Sequence, residues 1–222
     1  MKDLTLIIPA KNEHESLPKV LTELKDYDLN IMIVLRKEDL ETINSIKDFN
    51  CKITYQDGYG YGDALINGIS LTTTKYFCIF NADGSFKPEE LKNMYDTLEN
   101  TNNDFIFASR YQKNSGSDDD TIITYIGNFI FTRLGNIFFN LKITDILYTY
   151  VLGKTECAKK LNLKNKDFSF CIELPIKASR QNMKLSSISS YERKRIAGIK
   201  KPNAFKDGLL ILTSMILLFI KR

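Results

Sequence analysis

Paired cysteines, histidine and long apolar runs are all scarce in this sequence. The four cysteines, Cys51, Cys78, Cys157 and Cys171, are widely spaced and form no CxxC pair. That pattern predicts reduced, mostly buried thiols of a cytosolic protein. His14 is the sole histidine, and one imidazole does not make a zinc site of the usual kind. The apolar stretch 208–220 is 13 residues long, well short of the ~20 that span a bilayer. The start, Met1-Lys2-Asp3 and then Leu4-Thr5-Leu6-Ile7-Ile8, does not read as a signal peptide, because Pro9 ends the run and no small-residue cleavage site follows. A dominant charge sign is missing too. Lys plus Arg is 31 against 27 for Asp plus Glu, a net +4. That is too mild for a dedicated nucleic-acid binder but allows an anionic ligand at a local basic patch. There is no internal repeat and no low-complexity tract.

The rest of the composition is that of a folded domain. Apolar residues make up 43% and charged residues 26%, which excludes disorder and collagen-like or coiled-coil classes. The 222 residues (25.5 kDa) suit one large domain or one and a half. A core of that size needs no disulfide or structural metal.

Short apolar runs at 4–8 and 31–35 read as buried strands, and 51–55, 76–80 and 104–108 read as three more strands. Between them lie helical patterns. Leu17, Val20, Leu21 and Leu24 form one stripe, with Ser16 as N-cap and Pro18 in the first turn. Residues 38–46 and 64–71 follow, and then a helix opened by Pro88 with Leu91, Met94, Tyr95 and Leu98 on one face. Strands alternating with helices predict a mostly parallel sheet covered on both faces, an α/β class. After a polar loop at 114–120 (NSGSDDD), helices are expected at 121–141, 168–180 and 208–220, and a strand at 185–191.

Ligands of open α/β sheets bind beyond the carboxyl ends of the strands. That rule selects Pro9, Ala10, Lys11, Asn12 and Glu13; the turn Asp57-Gly58-Tyr59-Gly60-Tyr61-Gly62-Asp63; Asn81-Ala82-Asp83-Gly84-Ser85; and Ser109-Arg110. Asp83, at a strand end beside a glycine, can hold Mg²⁺ or Mn²⁺, which take oxygen ligands and share them with phosphate. A plain Asp-Gly turn gives the same pattern. The Gly60/Gly62/Gly68 spacing can face backbone amides toward an anion, although a tight turn is the commoner cause. It is not the dinucleotide fingerprint.

Taken in order, Leu6–Glu13, Gly58–Ala64, Asn81–Ser85, Ala108-Ser109-Arg110-Tyr111, Asp145, Gly153, Glu173, 191–198 (YERKRIAG) and 203–208 (NAFKDG) resemble family 2 glycosyltransferases. The likeness is greatest to the dolichyl- or undecaprenyl-phosphate sugar synthase branch, and it covers essentially the whole chain. The resemblance implies a GT-A fold, a UDP- or GDP-linked sugar donor, a divalent metal (Mg²⁺ or Mn²⁺) and inversion at the anomeric carbon. It places Pro9, Ala10, Asn12, Glu13, Gly60, Gly62, Asn81, Ala82, Asp83, Ser85 and Arg110 at the nucleotide sugar. Asp83 and Asn81 fall at the metal. Asp83, Asp145 and Arg195 are the catalytic set, with Glu173 on the helix that orders the site. Arg193, Arg195, Lys200 and Lys201 fall at the acceptor or donor phosphate. It divides the chain into a donor half (residues 1–112), an acceptor-side half (residues 113–204) and an apolar C-terminal helix (residues 205–222). The protein is then expected to be cytoplasmic and peripheral at the membrane.

Two departures stand out. The family usually has an Asp pair after the second strand; here Arg36-Lys37-Glu38-Asp39 follows, so base or ribose recognition must shift to Glu38 or Asp39, or be lost. The first acidic position of the usual DxD is Asn81, which offers a carbonyl oxygen but no charge. These changes leave a non-catalytic binding homologue open, and a glycan or soluble acceptor is the enzyme alternative. The basic cluster Arg193, Lys194, Arg195, Lys200, Lys201 reads either as a solvated loop or, beside an apolar helix, as part of a membrane-surface site. Residues 208–220 and 121–141, with Phe129, Phe131, Phe138 and Phe139 as apolar anchors, read as core helices, as interfacial helices, or as the contact to a second copy or a membrane-protein partner.

Overall fold

The structure, a computed structural model, describes residues 1–197 and 204–220. Four strands form where continuous apolar runs lie in the sequence, β1 (Leu4–Pro9), β2 (Asn30–Leu35), β4 (Tyr76–Ile79) and β5 (Phe105–Ser109), and β3 (Lys52–Tyr55) forms at the half-exposed edge. Together with β7 (Val151–Lys154) and β8 (Leu185–Ser189) they make a seven-stranded sheet in the order β3-β2-β1-β4-β7-β5-β8. All neighbours are parallel except β7, which runs antiparallel to both β4 and β5. A second, two-residue parallel ladder joins β6 (Gly116–Ser117) to β9 (Tyr191–Glu192).

Alternation along β1 feeds two cores. Leu4, Leu6 and Ile8 pack with Leu17, Val20 and Leu21 of α1 (Leu17–Glu23) and with Leu91, Met94 and Leu98 of α4 (Glu90–Asn100). Ile7 faces the other way, onto Ala64, Leu65 and Ile69 of α3 (Tyr61–Leu71) and the layer that holds α7 (Phe170–Arg180). Gly68 lets α3 lie that close, since a Cβ there would fall 2.4 Å from Ile7 Cγ2. The remaining helices are α2 (Leu40–Ser45), α5 (Ile122–Phe139), α6 (Thr155–Lys160) and α8 (Ala204–Ile220).

Several boundaries differ from the sequence reading, each for a local reason. The helix expected from residue 38 starts at Leu40, because Asp39 caps it by accepting from Thr42 N at 3.4 Å. Ser16 occupies the N-cap position of α1 but makes no side-chain cap; its hydroxyl donates to Glu13 Oε2 at 2.6 Å instead. The helix expected over 121–141 ends at Phe139, where Asn140 turns left-handed at φ 53°. The polar loop 114–120 contains β6, and the strand expected over 185–191 breaks into β8 and β9. Strand β7 and helix α6 were not anticipated at all. Cys78 and Cys171 are buried, Cys51 and Cys157 half-buried, and no disulfide joins them.

Strand β7 stitches the later part of the chain into the earlier one. Its Gly153 leaves room for the Phe77 and Phe105 rings, which meet edge-to-face at 6.4 Å. A Cβ on Gly153 would fall 2.4 Å from Phe105 Cδ1. Gly153→Val is therefore expected to cost about 1–3 kcal/mol or more through overpacking. It should lower the urea midpoint without changing the slope of the transition. A midpoint equal to wild type would contradict the packing described.

Candidate active site

The carboxyl ends of β1, β2, β4 and β5 converge on one edge. The loop after β4 is the most tightly specified. Asp83 Oδ1 accepts from Ser85 N at 3.0 Å, and Asn81 Nδ2 donates to Ser85 Oγ at 3.3 Å. Gly84 sits at φ 80°, where an added Cβ would fall 2.4 Å from Ile196 Cδ1. Backbone bonds close the contact from the other side: Ile196 N donates to the Asp83 carbonyl at 2.7 Å, and Arg193 N to the Ser85 carbonyl at 2.9 Å. The residues of 193–196 therefore lie directly on the Asp83 loop.

That placement separates the two arginines. Arg195 reaches the site, with Nη1 3.5 Å from Asp83 Oδ2 and Nη2 donating to Asp119 at 2.8 Å. Burial works against its charge, but Asp119 and Asp83 outweigh this and raise its pKa above the usual value. Arg193 turns away. It pairs with Glu23 at 2.8 Å and donates to the Phe86 carbonyl at 2.9 Å, bracing α1 against the β4 loop. The expectation that Arg193 meets a phosphate is corrected accordingly. Lys200 and Lys201 lie outside the described residues.

At the end of β5, Arg110 is almost enclosed. Its guanidinium donates to Asp145 at 2.8 and 3.1 Å and to Glu192 at 3.0 Å. It also lies over the Tyr148 ring at 4.6 Å. Burial opposes its charge; Asp145 and then Glu192 more than compensate, so its pKa is raised. Asp145 itself is 0% exposed. Besides Arg110 it accepts from Asn128 Nδ2 at 2.6 Å, Tyr148 N at 3.1 Å and Arg110 N at 3.2 Å. A carboxylate so sealed does not touch an acceptor. The catalytic assignment of Asp145 is corrected: it is a positioning residue for Arg110.

At the β1 end, Ala10 continues the ladder by donating to the Val34 carbonyl, and Asn12 is left-handed at φ 53°. Asn12 N donates to Asp39 Oδ2 at 2.7 Å. Glu13 is largely buried and engaged by Ser16. Of the two acidic candidates after β2, Asp39 thus lies against the β1 loop. Glu38 pairs with Arg36 at 3.2 Å on the outside, and Arg36 stacks on Tyr59 at 3.8 Å.

The glycine turn after β3 does something other than expected. A Cβ on Gly60 would fall 2.2 Å from the Lys166 carbonyl oxygen, and one on Gly62 2.2 Å from that of Asn165. Asp63 N donates to the Lys166 carbonyl at 3.0 Å. The segment around 165–167, not an anion, occupies the space these glycines open. The space these two glycines leave open is filled by backbone of 165–167, which accounts for glycine at both positions without a ligand. Glu173 holds that segment in place, accepting from Asn165 N at 2.7 Å and Lys164 N at 2.9 Å. The turn still shapes the site through Tyr61. Its hydroxyl shares a 2.7 Å hydrogen bond with Thr149 Oγ1 and donates to Asn81 Oδ1 at 3.4 Å, and its ring stacks on Phe168. Burial pushes the Tyr61 hydroxyl pKa up, so it remains protonated.

Sequence reasoning gave no role to Asp119, Glu192, Asn128 or Tyr61. Asp119, Glu192 and Tyr61 stood in stretches already singled out, the polar loop 114–120, the YERKR segment and the glycine turn, but nothing local assigns their partners. A divalent cation fits the donor set in a specific way. Among the described residues no three His, Cys, Asp or Glu side chains converge. Asp83 would supply one carboxylate and Asn81 a carbonyl oxygen, the rest coming from phosphate and water, as Mg²⁺ sites commonly do.

This arrangement coincides with a sequence match. The glycosyl transferase family 2 model matches residues 5–161. The chain belongs to glycosyl transferase family 2. Solved structures agree on the fold. Glucosyl-3-phosphoglycerate synthase from Mycobacterium tuberculosis with UDP superposes with a TM-score of 0.75 at 12% identity, over 97% of this chain and 79% of that one. The same enzyme with Mn²⁺, UDP and glucosyl-3-phosphoglycerate gives 0.72 at 11% identity, with the same coverage. Mannosyl-3-phosphoglycerate synthase from Rubrobacter xylanophilus gives 0.64 at 15% identity, over 99% of this chain and 73% of that one. This family 2 glycosyltransferase has the GT-A type of α/β fold.

Asp145→Ala leaves the buried Arg110 with Glu192 as its remaining carboxylate partner. Breaking a buried ion pair from one side costs about 3–5 kcal/mol. The variant is expected to lose that much stability in chemical denaturation. A loss below about 1 kcal/mol would show that Asp145 does not anchor the guanidinium.

Proposed function

We propose that this glycosyltransferase moves a sugar from a UDP- or GDP-linked donor to a polyprenyl phosphate at a membrane surface, with inversion. The observation that carries the donor chemistry is Asp83 at the β4 end with Arg195 3.5 Å away. Arg195 is placed to meet phosphate oxygens and balance the charge that grows on the departing diphosphate. Asp83 and Asn81 would hold Mg²⁺ or Mn²⁺, which when bound supplies Lewis-acid stabilisation to that leaving group. Pro9 and Asn12, after the neighbouring strand β1, and Asp39, after β2 one strand further, line the path from Asp83 toward the nucleoside. An acceptor phosphate is already anionic at neutral pH, so no histidine base is needed. In this reading residues 1–112 carry the donor and residues 113–204 the acceptor side.

The membrane part rests on α5, whose amphipathicity is inverted. Its buried side chains are Asn128 and Thr132, beside Gly135, while Ile122, Ile123, Ile126, Phe129, Ile130, Ile137 and Phe138 are exposed. Phe131 and Phe139, also read as anchors, are half-buried against the core. By length and composition α5 could even cross a bilayer. Helix α8 packs beside it through Phe138 and Phe219, burying Ile211 and Met215 and exposing Phe205, Leu209, Ile216 and Ile220. Water does not favour two adjacent helices with outward apolar faces; a lipid interface does. This reading takes the protein as peripheral at the cytoplasmic face of the membrane. A second reading, a small soluble phosphorylated acceptor, is favoured by the structural neighbours that act on phosphoglycerate.

Asp83→Ala should lower transfer by about a hundredfold or more while leaving the circular dichroism spectrum unchanged, with only a small fall in melting point from the lost Ser85 N bond and Arg195 pair. Full activity in that variant, with chelation harmless, would reject the mechanism. Separately, the wild type should float with anionic liposomes. Ile126→Asp combined with Phe129→Asp should abolish flotation but keep nucleotide binding. A wild-type protein that stays in the soluble fraction while glycosylating phosphoglycerate would favour the soluble acceptor.

A further inference from the structure

Both arginines placed at the site are already matched by carboxylates. Arg110 is held by Asp145 and Glu192, and Arg195 by Asp119 and Asp83. Asp119 belongs to a run of three carboxylates that each close on a different group of the site wall. Asp118 accepts from the Tyr191 hydroxyl at 2.7 Å, Asp119 from Arg195 at 2.8 Å, and Asp120 from the Tyr111 hydroxyl. Ser117 donates its hydroxyl to Glu192, and the β6–β9 ladder is only two residues long on each side. Residues 116–120 thus form a strap fastened across the rim by polar side chains and a short backbone ladder.

Such a rim is unfavourable for an anion. A phosphate arriving at Arg195 meets Asp119 and Asp83, and its own negative charge is repelled by both. The guanidinium it needs is in use. The arrangement becomes productive if phosphate takes the place of a carboxylate that was holding the same donors.

We propose that Asp119 is a built-in stand-in for a substrate phosphate on Arg195, and that the incoming phosphate displaces it and releases the strap 116–120. This rests on the reading of Arg195 as a phosphate-binding group. The exchange is non-covalent: the Arg195 N–H donors pass from a carboxylate to a phosphate, and no covalent bond changes. The closed strap is then the binding-incompetent state, and it lowers the apparent affinity by the fraction of molecules that hold it. Removing the charge of Asp119 should raise affinity. A residue that merely supports the fold would lower affinity or leave it unchanged when replaced.

Two measurements on the full chain test this. In calorimetry, Asp119→Asn should bind a nucleoside diphosphate (UDP and GDP, each with Mn²⁺) or a phosphate-bearing acceptor about fivefold more tightly than wild type, the scale of one exposed to half-buried ion pair. In hydrogen exchange on the wild type, amides of 116–120 should exchange faster when ligand saturates the protein. Separate arms with UDP or GDP, with a short-chain polyprenyl phosphate in detergent, and with 3-phosphoglycerate identify which phosphate opens the strap. Equal or weaker binding by Asp119→Asn, or unchanged exchange at saturation by a ligand that calorimetry shows to bind, overturns the proposal while leaving the donor reading intact. Failure of every phosphate ligand to bind the wild type removes the reading of Arg195 and this inference with it. If Asp119→Asn does not fold, the wild-type exchange decides alone.

Discussion

A charged guanidinium cannot be enclosed unless its charge is answered, and Arg110 is nearly enclosed. Its partners come from places the chain separates widely: Asp145 from the loop before β7, Glu192 from β9, and Asn128 of α5 behind Asp145. Each of these groups pays for its own burial only through the others. The network therefore fixes the end of β5, the start of α5, and the strand that carries Arg195 toward Asp83. The β4 loop is then closed by Ile196 packing over Gly84. Without the Arg110 network the rest of this edge has no reason to converge.

That dependence explains why the fold was more legible than the site. Buried parallel strands announce themselves as continuous apolar runs, and β1, β2, β4 and β5 do so locally. Strand β7 is four residues, Val151-Leu152-Gly153-Lys154, with a glycine and a lysine among them. It inserts antiparallel between two strands that come earlier in the chain, so no local period marks it. The Asp83 loop was readable because strand-end carboxylates beside glycine are conspicuous. Its partners were not, because Arg195 meets Asp119 across 76 positions of sequence. Pairing at that distance is a property of the topology.

The glycine turn shows how far a local signal reaches. Glycines ahead of a helix signal a close approach, and the structure has one, but the approaching group is the Lys166 carbonyl rather than a ligand. A missing Cβ shows that something comes near and cannot say what. The segment that comes near is held by Glu173 from more than a hundred residues downstream of the turn, through backbone N–H groups that any sequence would supply. The opposite holds for the acidic run 118–120. Its charge was visible within the polar loop 114–120, but three adjacent carboxylates carry no local sign of which group each will meet. Here Tyr191, Arg195 and Tyr111 each take one.

The same logic reaches α5. A helix that turns Asn128 and Thr132 inward does so because Asp145 needs a donor and the backbone at Ile146 and Leu147 needs acceptors. Satisfying those polar groups uses up the inner face of the helix, and its isoleucines and phenylalanines are left to point out. The apolar exterior is thus the other side of the requirement that keeps Arg110 charged. In the proposed function one helix then serves both demands. Its inner face orders the wall on which an acceptor phosphate would arrive, and its outer face is the surface at which a lipid tail would remain.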